Sequence, residues 1–263
     1  MTTTPSTFST IEVGSVPFQV SDLETATQWL LAEAVPRREG INVRLANAYT
    51  VALTRSDPSY RDLLTTTGVN FPDGTPVVWF MRLRRGAHRP HRVRGPSLFA
   101  RALSESAEHG TRHFFLGSTS ETLQLLVAKV RAAYPQAVIA GSYSPPFTAI
   151  DDTYVTDCAE RARESGANLV WIGLGTPKQD HLGAALAGEL DVVCVNVGAA
   201  FDFVAGTVNE APIWVQKSGF EWFYRLLSEP KRLWRRYLIG NSQFLIAAVS
   251  HLAATVRTPV GPR

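Results

Sequence analysis

Residues 167–180 read ANLVWIGLGTPKQD, an apolar run that passes through two glycines and a proline into a helical pattern. Branched and aromatic side chains from Leu169 to Ile172 suit a strand buried on both faces, and small residues after it allow a tight turn. A strand that ends in such a turn and feeds a helix is the repeating unit of an α/β sheet. The same unit recurs on either side. INVRLAN (41–47), TGVNF (67–71), RHFFLG (112–117), AVIAGSY (137–143) and DVVCVNVG (191–198) alternate with helical patterns such as TSETLQLLVAKVRAAY (119–134) and DTYVTDCAERARESG (152–166). That alternation predicts an α/β fold, a mostly parallel sheet with helices on both faces. Ahead of it, STIEVGSVPFQV (9–20) reads as one or two short strands, and Ser21 with Glu24 reads as a capping box for the first helix.

At 263 residues with 45% hydrophobic residues, the chain can bury a sizeable core. Its net charge of +3 hides an asymmetry. From Trp214 onward there are eight basic residues against two acidic ones, a net +6, so the rest carries −3. A basic end on a mildly acidic body points to an anionic partner, phospholipid or a phosphorylated substrate. Two cysteines, Cys158 and Cys194, argue against a disulfide framework and for a reducing compartment. The start, MTTTPSTFST, lacks the charged and apolar regions of a secretory signal, and RTPVGPR (257–263) reads as a frayed tail. The apolar stretch from Tyr237 to Val256 is broken by Gly240, Asn241, Ser242, Gln243, Ser250 and His251. It falls short of a spanning helix, so contact with a membrane is expected to be peripheral.

In an open α/β sheet the loops at the carboxyl ends of the strands form the ligand crevice. GLGTPKQD (173–180) places Gly173, Gly175 and Thr176 where backbone can approach an anion, with Lys178 and Gln179 adding a charge and an amide. The plain alternative is a tight strand-to-helix turn. NFPDGTPVVW (70–79) puts Asp73 just beyond a strand. Burial among Phe71, Pro72 and Val77 would raise its pKa and suit a general base, while Gly74 permits a turn and Asp73 could equally cap the next helix. RLRRGAHRPHRVRG (82–95) holds six arginines and two histidines. It lacks the interleaved aromatics of a nucleic-acid module, so a solvated loop with one or two phosphate-binding arginines is expected and nucleic acid is not. Asp202 in NVGAAFDFVAGTVNEAP (196–212) is a candidate acceptor for sugar or base hydroxyls, or a structural acid. No HExxH, CxxC or Asp-x-Asp occurs, which leaves no metal-site expectation, and no G-x-S-x-G nucleophile turn is present.

EWFYRLLSEPKRLWRRY (221–237) crowds basic residues among aromatics. Pro230 should end one helix and begin another, and Arg232, Arg235 and Arg236 would then share one face. Taken in order, PDGTPVVW, RVRG, FFLGS, GSYSPPF, GLGTPKQD, VGAAFDFVAG and this segment resemble the WecG/TagA/CpsF family of bacterial glycosyltransferases, from about Val13 to Asn241. The resemblance implies a Rossmann-like catalytic body (1–209) and a basic, amphipathic helical appendage (210–263) that completes the active site and contacts membrane. It implies an inverting, metal-independent, UDP-sugar-dependent hexosyltransferase without a cofactor. The acceptor would be a polyprenyl-diphosphate-linked sugar at the cytoplasmic membrane face, in cell-surface polysaccharide or glycolipid assembly, with self-association left open. In that reading Asp73 is the base, and Asn47, Arg92, Gln179 and Asp202 surround the donor. Arg225, Arg232 and Arg235 would reach back over the site toward the diphosphates, and Trp234 would face lipid. Removing residues after about 210 is expected to leave a folded body without transfer. Leu45 stands where the family often has Thr, and Glu210 where it commonly has Arg, so the donor sugar is left open among N-acetylmannosamine, other hexoses and uronic acids. The alternative class is a non-catalytic binder of nucleotide sugar or lipid diphosphate.

Overall fold

In the computed structural model, which describes residues 8–35, 39–84 and 89–256, the opening hairpin is β1 (Thr10–Val13) and β2 (Val16–Gln19). Its two-residue turn, Gly14 and Ser15, lies at positive φ, as the twist of a tight hairpin requires. The tails 1–7 and 257–263, and residues 85–88 of the arginine-rich segment, lie outside the described residues. Next come α1 (Leu23–Glu33), β3 (Ile41–Ala46), α2 (Ala48–Leu53), α3 (Pro58–Thr66), β4 (Val69–Pro72), α4 (Thr75–Leu83) and α5 (Gly95–Glu105). After a 3-10 turn the alternation becomes regular: β5 (Arg112–Gly117), α6 (Ser120–Ala133), β6 (Val138–Tyr143), α7 (Asp152–Glu164), β7 (Leu169–Gly173), α8 (Lys178–Glu189), β8 (Val193–Asn196) and α9 (Ala200–Ala205).

Local chemistry sets these boundaries. Asp57, Thr119 and Asp151 accept from backbone N–H groups as the N-caps of α3, α6 and α7. The cap of α1 is Asp22, which accepts from Thr25, rather than Ser21. Ser21 instead donates to the Asp22 carbonyl, and a carboxylate is the stronger acceptor for the cap.

Among the described residues the main sheet has six strands in the order β4-β3-β8-β7-β5-β6, every pair parallel. Alternate side chains go to opposite faces, and both faces are covered. Val43, Leu45, Phe115, Trp171 and Val195 pack with α1, α5, α6 and α9. On the other side, Leu116, Val170, Ile172 and Cys194 pack with α7 and α8. This is the parallel sheet with helices on both faces that the alternation predicts, and it is Rossmann-like, as the family resemblance implies. Cys158 and Cys194 are both buried and unpaired, and burial pushes each thiol up to about 12.

The end of the chain runs α10 (Ile213–Ser218), α11 (Glu221–Ser228), α12 (Pro230–Trp234), a π-helical turn over Arg235–Ile239, and α13 (Gly240–Val256). Pro230 opens α12 as expected. Of the three arginines expected to share one face, Arg232 and Arg236 have side chains outside the described ones. Among the described residues no helix is long and apolar enough to cross a membrane.

The final helix rejoins the body. Phe244, Ala247 and Ala248 share a core with Val13, Val16, Phe18 and Val51, and the Phe244 ring meets Phe80 edge to face at 5.4 Å. Cutting at 210 would strip this core of one wall, so the expectation of a self-sufficient body loses its physical basis. Phe244→Ala should lower unfolding free energy by about 3 kcal/mol, the usual cost of emptying a buried aromatic site. Chemical denaturation would read this, and an unchanged midpoint would show that α13 adds nothing to the core.

Candidate active site

The position of the site follows from where two neighbouring strands send the chain. After β3, α2 packs on one face of the sheet; after β8, α9 packs on the other. The diverging loops leave a crevice at the carboxyl ends of β3, β4, β7 and β8, the switch point at which such sheets bind ligands. It is a cleft of about 500 Å³, lined by the body and by Trp222, Arg225, Tyr237 and Asn241 of the C-terminal segment.

A polar seam behind the cleft holds its floor. Arg44, fully buried on β3, donates from Nε to Asn70 Oδ1 at 2.7 Å and from Nη2 to the Thr67 carbonyl. Burial pushes this guanidinium down to about 10, with Asp180 and Tyr60 opposing the shift. Asp180, in the first turn of α8, accepts from the Tyr60 hydroxyl at 2.7 Å, and burial raises its pKa. Asn42 donates to the Asp180 carbonyl and accepts from Asn196. Gly183 lets α8 close on this seam, because a Cβ there would lie 2.6 Å from the Asn42 oxygen. The turn from Gly173 to Gln179 is thereby anchored from below.

Within that turn the expected residues divide. Gly175 adopts φ +78° with open space around it, and its N–H donates to Gln179 Oε1 at 3.0 Å. Gly173 is required for packing, since a Cβ would strike the Phe201 ring. Gly173, Gly175, Thr176 and Gln179 all line the cleft. Lys178 does not. Its ammonium donates to the Thr148 carbonyl at 2.6 Å and lies over the Tyr154 ring, because α8 begins here and turns successive side chains to different sides.

Asp73 lines the cleft opposite this turn. Its N–H continues the ladder to the Ala46 carbonyl, and its Oδ1 accepts from the Gly95 N–H at 3.1 Å. It caps the start of α5, not α4, whose N-cap Gly74 makes no side-chain bond. The apolar enclosure expected from Phe71, Pro72 and Val77 is not what lines the cleft beside the carboxylate: Phe71 and Val77 belong to the core clusters, and Arg92 Nη2 lies 3.9 Å from Oδ1. Gly74 is extended rather than turned. Its missing Cβ gives room to Asn47, which would otherwise sit 3.1 Å from it. Asn47 lines the cleft and also caps α2, accepting from Tyr49 and Thr50 in a capping box. Leu45 forms part of the floor.

Arg92 lines the cleft, but each of its nitrogens is bonded to the protein, Nε to the Asp73 carbonyl, Nη1 to the Gln216 carbonyl at 3.2 Å and Nη2 to Glu221 at 2.8 Å, which uses three of its five N–H groups. Arg94 gives Nε and Nη2 to Glu221 and Nη1 to Glu210. Burial alone would raise Glu221, yet the hydrogen bonds from Arg94 and the charge of Arg92 hold it below the usual carboxylate range. The pairing therefore stabilises the fold at neutral pH, and that stability is lost as pH falls through the depressed value.

Asp202 lines the far wall beside Phe203. Arg225 stacks on Phe203 with its guanidinium carbon 5.3 Å from the ring centroid, and its Nε is buried with no protein partner. Arg235 is not brought to the cleft; it is exposed and lies over Trp234, as the π turn directs it outward. Arg232 belongs to α12, and its side chain lies outside the described ones. Sequence reasoning missed Arg94, Glu221, Tyr237 and Asn241. Only Arg94 had a signal, its i, i+2 spacing from Arg92.

A parallel α/β sheet whose switch-point cleft combines a carboxylate, a small-residue turn and an arginine supplied by a C-terminal segment is a site built to receive an anionic ligand. The glycosyl transferase WecG/TagA/CpsF family model matches residues 11–257, and the chain belongs to that family. It is 28% identical over 232 residues (86% of each chain) to an N-acetylglucosaminyldiphosphoundecaprenol N-acetyl-beta-D-mannosaminyltransferase of Bacillus subtilis (strain 168). It is likewise 28% identical over 251 residues, 93% of each chain, to a protein of the same description from Bacillus spizizenii.

Proposed function

We propose that the protein is an inverting, metal-independent glycosyltransferase. It moves an N-acetylmannosamine-type sugar, or a related hexose or uronic acid, from a UDP donor to a polyprenyl-diphosphate-linked sugar in cell-envelope polysaccharide or glycolipid assembly. The observation that carries this reading is Asp73 set across one cleft from Arg225 and the Gly173–Gln179 turn. The names of the two relatives support the acceptor class.

Asp73 takes the proton of the acceptor hydroxyl as that oxygen attacks the anomeric carbon from the side opposite the diphosphate. The bond to the diphosphate oxygen breaks, its electron pair leaves with UDP, and the configuration inverts. Arg225 meets the charge that grows on the leaving oxygen, which supports a route without a metal. Asn47, Gln179 and Asp202 offer amide and carboxylate groups to the sugar and nucleoside. Exposed Ile213, Trp214, Phe223, Leu227 and Leu238, with Lys217 and Lys231 among them, support seating on the cytoplasmic membrane surface.

A panel of UDP-sugars offered with a short-chain polyprenyl-diphosphate GlcNAc acceptor tests the proposal. One donor should yield free UDP and a lipid product heavier by one sugar, and a chelator should leave the rate unchanged. UDP binding with no transfer from any donor would favour the non-catalytic binder instead.

A further inference from the structure

Residues 92–94 alternate as Arg, Val, Arg in an extended segment, and the alternation divides their roles. Val93 turns into the core and its N–H donates to the Pro72 carbonyl at 2.9 Å. Both arginines therefore project the other way, toward the C-terminal segment, where Glu221 opens α11 and receives them together at 2.8 Å. Arg92 also donates to the Asp73 carbonyl, while the segment after Arg94 supplies the Gly95 N–H to the Asp73 carboxylate. One carboxylate thus joins the C-terminal segment to two of the three bonds that hold residue 73, the third being its N–H to the Ala46 carbonyl.

Each nitrogen of Arg92 has a protein partner, with three of its five N–H groups used, and the two guanidiniums face three carboxylates, Glu221, Glu210 and Asp73. Two N–H groups of Arg92 remain, but swinging the guanidinium onto a phosphate would break its bonds to Asp73, Gln216 and Glu221 and leave a largely buried Glu221 short of a partner, which is costly. We infer that Glu221 and Arg92 form a positioning clamp that holds Asp73 in place, so that Arg92 serves the carboxylate rather than the donor diphosphate. Glu210 belongs to the same clamp through Arg94, which gives the acid at that position a purpose. The inference rests on the assignment of Asp73 as the base.

The test compares Glu221→Gln, Arg92→Gln and the double variant with the wild-type chain. Each single change should lower kcat by about 100-fold, the cost of misplacing a catalytic group by about an ångström, with the donor KM within about twofold of wild type. Because the two residues act as a unit, the double variant should be no slower than the worse single one. Glu221→Asp should recover part of the loss. Hydrogen exchange should speed up around residues 73–74 and 213–228 in both single variants alike.

A rise of about tenfold or more in donor KM or in the Kd for UDP for Arg92→Gln, absent from Glu221→Gln, would overturn the clamp and make Arg92 a diphosphate ligand. Additive losses would overturn it as well. Should the wild-type chain transfer no sugar, the reaction proposed above fails, and exchange still decides the clamp: unchanged protection at 73–74 in Glu221→Gln refutes it.

Discussion

Asp73→Asn should reduce kcat by about three orders of magnitude, within the range usual for loss of a general base, while the Kd for UDP stays near wild type. The argument turns on what the substitution preserves. An asparagine oxygen can still accept from the Gly95 N–H, and the backbone of residue 73 still bonds to Ala46 and Arg92. The loop therefore keeps its place. What disappears is an oxygen able to receive the acceptor proton, because an amide is not basic at neutral pH. Chemistry should fail with binding intact, seen as loss of UDP release beside an unaltered calorimetric isotherm for UDP. Full turnover by the variant would remove Asp73 as the base and direct attention to Asp202, the other carboxylate on the cleft wall carried by the body.

Much of this architecture can be read from the chain, because burial on both faces of a parallel sheet writes each strand as a continuous apolar run. Leu169–Ile172 and Val193–Asn196 are legible for that reason, and the polar residues just past them fall at the crevice by geometry. What sequence could not supply is the direction of side chains at the start of a helix. Lys178 and Gln179 are adjacent, yet one binds the Thr148 carbonyl outside and the other closes the Gly175 turn inside. Contacts distant in sequence were equally hidden. Arg92 and Glu221 are separated by 129 positions, and a lone glutamate at the head of an amphipathic helix gives no sign of its partners. The basic C-terminal segment was legible as a unit of charge, but its last helix is bound to the hairpin and α2 by Phe244 and two alanines that read as ordinary apolar residues. Local cues also misled at Ser21 and Gly74, where a neighbouring carboxylate and a close approach to Asn47 decide the structure.

The second large effect is expected at Arg225. Other cations near the cleft are spoken for: Arg92 and Arg94 by Glu221 and Glu210, and Lys178 by the Thr148 carbonyl. Arg225, by contrast, presents a buried Nε with no protein partner and is held against the Phe203 ring. A UDP leaving group gains negative charge as its bond to the sugar breaks, so a fixed guanidinium beside it stabilises the transition state more than the bound donor. Arg225→Ala should therefore lower kcat by about 100- to 1000-fold, with a smaller rise in donor KM. Lysine at this position should restore only part of the rate, since its point charge cannot offer two donors in one plane. Added magnesium should not rescue the alanine variant if the protein is built to work without a metal. Rescue by magnesium would mean that a metal can take over the charge on the diphosphate. An alanine variant with full kcat would go further, removing the described cation on which the metal-independent route depends.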